Sequence, residues 1–96
     1  MNIDIRPECH DDLLEGFYFY ERQRKGLGSY FLSCHFTDIE DLRENAGIHE
    51  TVFGLQRSLS KKFPYAIYYR LMGENLEIVA ALDSRRDPKW IAERLK

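Results

Sequence analysis

The sequence predicts an α+β domain in which one strand, two helices and three further strands are followed by a short C-terminal helix. Two observations lead to this prediction. Residues 8–45 carry apolar side chains at spacings of three and four, which is typical of amphipathic helices. Residues 63–88 show alternating side chains interrupted by a turn, which is typical of two paired strands. The chain has 96 residues, so we expect a single domain, residues 1–96, with one modest core.

Composition and charge restrict the classes of function. The 44% hydrophobic content is sufficient for a core, and no run of about 18 apolar residues indicates a membrane span. The N-terminal residues lack the apolar stretch of a secretory signal, so we expect a cytoplasmic protein. The net charge is −2 and the pI is about 5.9, which disfavours a surface wholly dedicated to nucleic acid but leaves a local basic patch open.

The two central strands are predicted on either side of Gly73-Glu74-Asn75, which supplies the turn chemistry. The second of them, Leu76 to Leu82, is apolar on both parities from Ile78 onward, which indicates a central strand covered on both faces. In the first, one parity predicts core side chains, and the other makes Tyr68 and Arg70 candidates for an exposed pair. The core parity is Tyr65, Ile67, Tyr69 and Leu71.

Two helices are predicted upstream, joined by a tight corner at Gly26-Leu27-Gly28. The first is expected from Glu8 to Lys25, with Pro7 in its first turn and basic residues in its last. The second is expected from Ser29, as N-cap, to Asn45. The predicted inner face of the first helix is Cys9, Leu13, Phe17 and Tyr20. That of the second is Leu32, Phe36, Ile39, Leu42 and Ala46, and Phe31 and Cys34 widen it.

The remaining elements are shorter. Asn2 to Arg6 predicts a first strand. A strand at residues 52–59 places Arg57 on the same parity as apolar side chains. Arg57 is either an edge residue with a buried stem or a cation positioned to bind an anion, and both interpretations stay open. Asp87 and Pro88 predict the start of a last helix carrying Trp90, which is too short to persist without docking on the body or on a partner.

Known catalytic and metal-binding motifs are absent from the sequence, so no catalytic residue, metal ligand or cofactor is assigned. Each cysteine precedes a histidine, but neighbouring helical residues point about 100° apart and do not converge readily on one metal ion. Both cysteines are expected to be free and to behave as small buried hydrophobes. The three histidines are expected to be solvated. The residues concerned are Cys9, His10, Cys34, His35 and His49.

Arg85 and Arg86 follow the central strand, between Asp83 and Asp87. These charges form either an exposed salt-bridge network of little energetic value or a cation cluster that binds a target. The residues alone leave both interpretations open.

Several stretches together resemble the ParE/RelE superfamily of bacterial type II toxins. They are YERQRKGLG, SYFL, the Arg57 strand, FPYAIYY and SRRDPKW, in the family's order over essentially the whole chain. The resemblance implies a β-α-α-β-β-β core with a mostly antiparallel sheet, an αα-hairpin packed on it and a C-terminal helix. It also implies a cognate antitoxin that covers apolar surface, expected in a groove where the hairpin meets the sheet.

Two activities are known in this superfamily, and the sequence is closer to the ParE-like, plasmid-stabilisation branch. That branch implies inhibition of DNA gyrase without catalysis. The alternatives are a RelE-like, ribosome-dependent mRNA endonuclease and a non-toxic homologue that only binds the antitoxin. Asp83 stands where many relatives carry a histidine, and a carboxylate there would repel a scissile phosphate; it is equally an ion-pair anchor for Arg57 or Arg85. The residues expected to contact the target or the partner are Arg57, Tyr68, Arg70, Arg85, Arg86 and Trp90.

Overall fold

The computed structural model describes residues 1–96 and contains three helices and five strands. Their order is β1 (Asn2–Ile5), α1 (Pro7–Glu21), α2 (Leu27–Asn45), β2 (Glu50–Val52), β3 (Leu55–Leu59), β4 (Tyr65–Met72), β5 (Asn75–Asp83) and α3 (Pro88–Arg94). This confirms the predicted α+β class and adds one strand to it. None of the helices is long and apolar enough to cross a membrane.

The five strands form one mixed sheet in the order β1-β5-β4-β3-β2. Only β1 and β5 run parallel, and every other neighbouring pair is antiparallel. β5 therefore has a strand on each side, as its apolar sequence predicts.

Helices cover both faces of the central strands. The αα-hairpin packs against Tyr65, Ile67 and Tyr69 of β4, while α3 packs against Ala66 and Tyr68 of the same strand. Because side chains alternate between the two faces of a strand, both parities of β4 are buried at its N-terminal half. The predicted exposure of Tyr68 is wrong: it is 2% exposed. Arg70, two residues further on, lies beyond the cover of α3 and is exposed.

The predicted strand at residues 52–59 is in fact two strands joined by a two-residue turn. Phe53 and Gly54 both have positive φ, 53° and 78°, and Val52 pairs with Leu55 across them. Positive φ at both central residues is what a tight hairpin with the right twist requires. The alternation of side chains continues through Phe53, so the sequence conceals the turn.

The corner between the helices begins earlier than predicted. α1 ends at Glu21 and α2 begins at Leu27, so Ser29 lies inside α2 and is not its N-cap. The Glu21 carboxylate accepts hydrogen bonds from the backbone N–H groups of Gly26 (3.0 Å) and Gly28 (2.9 Å). These bonds, that from Gly26 foremost, lower the pKa of Glu21 and satisfy N–H groups that have no partner within the helix. The cations predicted in the last helical turn lie in this corner instead: Arg22, Arg24 and Lys25.

The buried face of α2 lies on the Phe31 side of the predicted stripe. It consists of Phe31, His35, Ile39 and Leu42, whereas Phe36 is 45% exposed. Phe31 packs directly over Gly16 of α1, because a Cβ added at Gly16 would lie 2.4 Å from the Phe31 ring. Because Gly16 has no side chain, Phe31 of α2 packs directly against the backbone of α1. This contact sets the rotation of α2 about its own axis.

His35 is fully buried among aromatic rings, contrary to the expected solvation. Its Nδ1–H donates to the Phe31 carbonyl over 2.9 Å, and its Nε2 has no hydrogen-bond partner. Burial lowers the pKa of His35 below its ordinary value. The folded protein therefore holds this imidazole neutral.

We predict that Gly16→Ala destabilises the protein by about 2 kcal/mol or more, because the added methyl group displaces the Phe31 ring from a packed core. His10→Ala, at an exposed position of the same helix, is the control and should cost less than about 1 kcal/mol. Urea denaturation of the two variants measures both values. Equal stability of the two would show that the α1–α2 contact tolerates a Cβ.

We predict that His35→Leu removes an acid-sensitive part of the stability. As the pH falls through about 6.5, the unfolded wild-type chain binds a proton at this histidine before the folded chain does, so the free energy of unfolding decreases. The variant should therefore gain stability relative to wild type between about pH 7.5 and about pH 5.5. Leu14→Ala, which removes an exposed side chain that does not titrate, should show a constant difference. A constant difference for His35→Leu as well would contradict the assignment.

Candidate functional site

Charged side chains gather where β5 ends and α3 begins, at residues 83–90, which we name the β5–α3 corner. Asp83 is the last residue of β5 and binds Arg85 through both carboxylate oxygens: Oδ1 accepts from Nε at 3.0 Å and Oδ2 from Nη2 at 2.8 Å. The Arg85 side chain and its backbone N–H lower the pKa of Asp83, and the carboxylate in turn raises that of Arg85. Asp83 therefore anchors Arg85 through two hydrogen bonds and forms an ion pair with it at the surface.

Arg86 takes a different partner from the one the sequence suggests. Its Nη2 donates to Glu15 of α1 over 2.7 Å, and its guanidinium lies 4.0 Å from the centre of the Trp90 ring. Asp87 does not join this network; its side chain accepts from the Lys89 backbone N–H over 2.9 Å and caps α3, as predicted. Trp90 remains 37% exposed, so Arg86 and Trp90 present one cationic and aromatic surface.

The structure does not bring the other predicted contact residues to this corner. Arg57 pairs with Glu50 of the neighbouring strand over 2.9 Å and its side chain is one-third exposed. Arg70 pairs with Glu77 of β5 over 2.6 Å. The fold thus pairs each of these arginines with a carboxylate of the neighbouring strand, and Glu77 also lies 3.8 Å from Arg6.

A second concave region lies between α2 and the edge of the sheet, and we name it the α2–β3 groove. It encloses a cavity of about 450 Å³. The expected groove at this place was apolar, but eight of its eleven lining residues are polar or charged. The lining consists of Asp38, Asp41, Leu42, Asn45, Ile48, His49, Glu50, Arg57, Ser58, Leu59 and Lys61.

At one end of this groove, four residues share a hydrogen-bond network centred on the hydroxyl of Tyr69. Its oxygen lies 3.0 Å from the Gly47 nitrogen, 2.9 Å from Gln56 Oε1 and 2.5 Å from His49 Nδ1. The His49 backbone N–H also donates to Gln56 Oε1 over 3.2 Å. The sequence analysis placed Tyr69 in the core but missed this network. The available signal was the Tyr69 hydroxyl, because a buried tyrosine needs a partner for its O–H.

Neither cysteine forms a disulfide, and Cys9 is fully buried while Cys34 is half-buried. Burial raises the pKa of the Cys9 thiol to about 12, so this thiol is protonated and unreactive at neutral pH. No group of three or more histidine, cysteine or carboxylate side chains is arranged to hold a metal ion.

We predict that Arg86→Ala changes the environment of Trp90, the only tryptophan in the sequence. Loss of the guanidinium exposes the indole, so its fluorescence should shift to longer wavelength and become easier to quench with the neutral quencher acrylamide. The cation–π contact should contribute about 0.5–1 kcal/mol to stability. Arg85→Ala is the control, because Arg85 binds Asp83 and not the indole. Identical emission from wild type and Arg86→Ala would contradict the contact.

Comparisons with known proteins identify the fold. No protein-family model matches the sequence, and no curated protein matches it either. Among solved structures, a chain of the chromosomal ParDE TA system from P. aeruginosa is similar, with a TM-score of 0.75 and 15% sequence identity. The similarity covers 84% of this chain and 92% of that chain. The structure thus confirms the architecture that the sequence resemblance implies: this protein has the fold of a chain from a ParDE TA system.

Proposed function

We propose that this protein is the toxin of a type II toxin–antitoxin module, of the ParE-like kind, and that a cognate antitoxin neutralises it. The observation that carries this proposal is the similarity to a ParDE chain, since it extends over 92% of that chain. The sequence stretches that resemble ParE-like toxins support it independently, because FPYAIYY forms the start of β4 and SRRDPKW spans the β5–α3 corner.

We further propose that the target is DNA gyrase. The charge distribution supports a protein target over RNA. Asp83 pairs with Arg85, Glu15 pairs with Arg86, and the whole chain carries a net charge of −2. Binding to a phosphate backbone depends on cations that are free to replace counterions, and this corner offers few of them.

The β5–α3 corner is the proposed contact surface for the target. Tryptophan and arginine are, with tyrosine, the residue types enriched at protein–protein hot spots, and here Arg86 and Trp90 contact each other at an exposed position. Asp83 holds the Arg85 side chain beside them. Arg85 therefore loses less conformational entropy when a target binds. Arg57 and Arg70, at other sites on the sheet, are proposed as contacts of a partner.

The α2–β3 groove is the proposed surface for the antitoxin. Ile48 and Leu59 line it and are 79% and 64% exposed, so a partner segment would remove apolar surface from water there. A polypeptide lying in a groove beside a sheet edge is a recurrent mode of recognition.

We predict that the purified protein inhibits gyrase supercoiling of plasmid DNA and traps linear DNA, and that Arg86→Ala combined with Trp90→Ala weakens this inhibition roughly tenfold or more, because hot-spot truncations typically cost about 2 kcal/mol. Arg22→Ala combined with Arg24→Ala is the matched control, since both arginines are exposed in the helix corner. Circular dichroism should confirm that both double variants are folded.

Other outcomes separate the alternatives. Unaffected gyrase together with cleaved messenger in a translating extract would replace the gyrase proposal with mRNA endonuclease activity. Harmless expression without an antitoxin would indicate a non-toxic homologue. Full inhibition of gyrase by Arg86→Ala/Trp90→Ala would preserve the target and overturn the assignment of the corner.

A further inference from the structure

The hydrogen bonds around Tyr69 determine which nitrogen of His49 carries a proton. The Gln56 side-chain oxygen accepts the His49 backbone N–H, which fixes the orientation of this amide. The Tyr69 hydroxyl is therefore the donor in its hydrogen bond to the same Gln56 oxygen. Burial raises the pKa of Tyr69, so the hydroxyl keeps this single proton at neutral pH.

Tyr69 has no second proton to donate, so its oxygen accepts from the Gly47 N–H and from His49 Nδ1. His49 Nδ1 is consequently protonated. In the neutral imidazole the proton on Nδ1 leaves Nε2 with a free lone pair. The network thus makes His49, which lines the α2–β3 groove, a hydrogen-bond acceptor with a fixed tautomer.

Four of the five charged groups of the groove are paired with each other, and Asp38 is not among them. Arg57 donates to Glu50 over 2.9 Å, and Lys61 lies 3.5 Å from Asp41. Asp38 accepts the Ser60 hydroxyl over 3.1 Å. A carboxylate has about four acceptor positions, so these groups retain free ones. The groove therefore offers a ligand more acceptors than donors.

Charge and apolar surface together restrict the ligand further. Three carboxylates line the cavity against two cations, so a phosphate would be repelled and a cation attracted. Leu42, Ile48 and Leu59 add an aliphatic wall. A ligand that fits has a cationic head with several N–H donors on an aliphatic stem. An arginine side chain has five such donors and a three-carbon stem.

We propose that the α2–β3 groove binds an arginine side chain of the partner polypeptide, with His49 and the Asp41 and Glu50 carboxylates accepting from the guanidinium. The cavity of about 450 Å³ lies within the range of small-ligand sites and is ample for one such side chain. The assignment of the partner as an antitoxin rests on the proposed function. The arginine site itself rests on the groove.

The test is an NMR titration of the full-length protein with N-acetyl-arginine methylamide in mildly alkaline buffer. The control ligand is the citrulline equivalent, which has the same shape without the charge. The arginine compound should bind in the millimolar range and perturb His49 and Leu59, and should bind roughly tenfold more tightly than the citrulline compound. Asp41→Asn should weaken binding severalfold, whereas Glu44→Gln, an exposed carboxylate of α2 outside the groove, should leave it unchanged.

Two results would overturn the proposal. One is equal or absent binding of the two compounds at His49. The other is an imidazole ¹⁵N spectrum of His49 with the proton on Nε2. The titration requires neither gyrase nor an antitoxin. Inhibition of gyrase without binding of the arginine compound would contradict only this inference. Binding of the arginine compound without inhibition of gyrase would contradict only the gyrase proposal.

Discussion

The central strands β4 and β5 are covered on both faces, and this constraint determines the rest of the structure. One face requires the αα-hairpin and the other requires α3, so a chain of 96 residues must divide its core between two layers. A bulge in the β4–β5 pairing, between Tyr68 and Tyr69, shifts the register by one residue. The β5 side chains that face the αα-hairpin are therefore Leu76 and Ile78 before the bulge and Ala81 after it. Ala80 and Ala81 lie on opposite faces after the bulge, and both are buried.

The same arrangement leaves the end of β5 without a strand partner on the β1 side, so a side chain accepts a backbone hydrogen bond there. β1 pairs with β5 only as far as Ile78, and beyond that point Asp12 of α1 accepts the Ala81 N–H over 3.2 Å. Asp12 also accepts from Arg94 of α3 over 2.6 Å, so one carboxylate joins both helical layers to the sheet edge. Burial raises the pKa of Asp12 to about 6 despite these donors. Desolvation of the carboxylate thus outweighs its hydrogen bonds, as is common for buried ion pairs.

Local signals allowed much of this fold to be predicted from the sequence, and long-range contacts explain the errors. The alternation of β4, the turn after it and the Asp87-Pro88 start of α3 depend on neighbouring residues, and the structure reproduces them. The burial of Tyr68 depends on where α3 docks, and the burial of His35 depends on the aromatic rings of Phe31, Phe63 and Tyr65 that surround it. In the candidate site, the Asp83–Arg85 pair was open to prediction because it spans two residues. The Tyr69 network joins Gly47, His49 and Gln56 to Tyr69 over separations of 13 to 22 residues, so no pattern among neighbouring residues predicts it.

The two candidate surfaces have opposite chemistry and share no residue. The β5–α3 corner presents the Arg86 guanidinium over an indole, whereas the α2–β3 groove presents acceptors and carboxylates. A single rigid ligand therefore does not satisfy both. Under the proposed function, a partner polypeptide anchored in the groove by a basic side chain would need a further segment, of different composition, to cover the corner and block the proposed target contact. An extended segment that follows the surface of the protein would meet this requirement, because such a segment recognises each site separately.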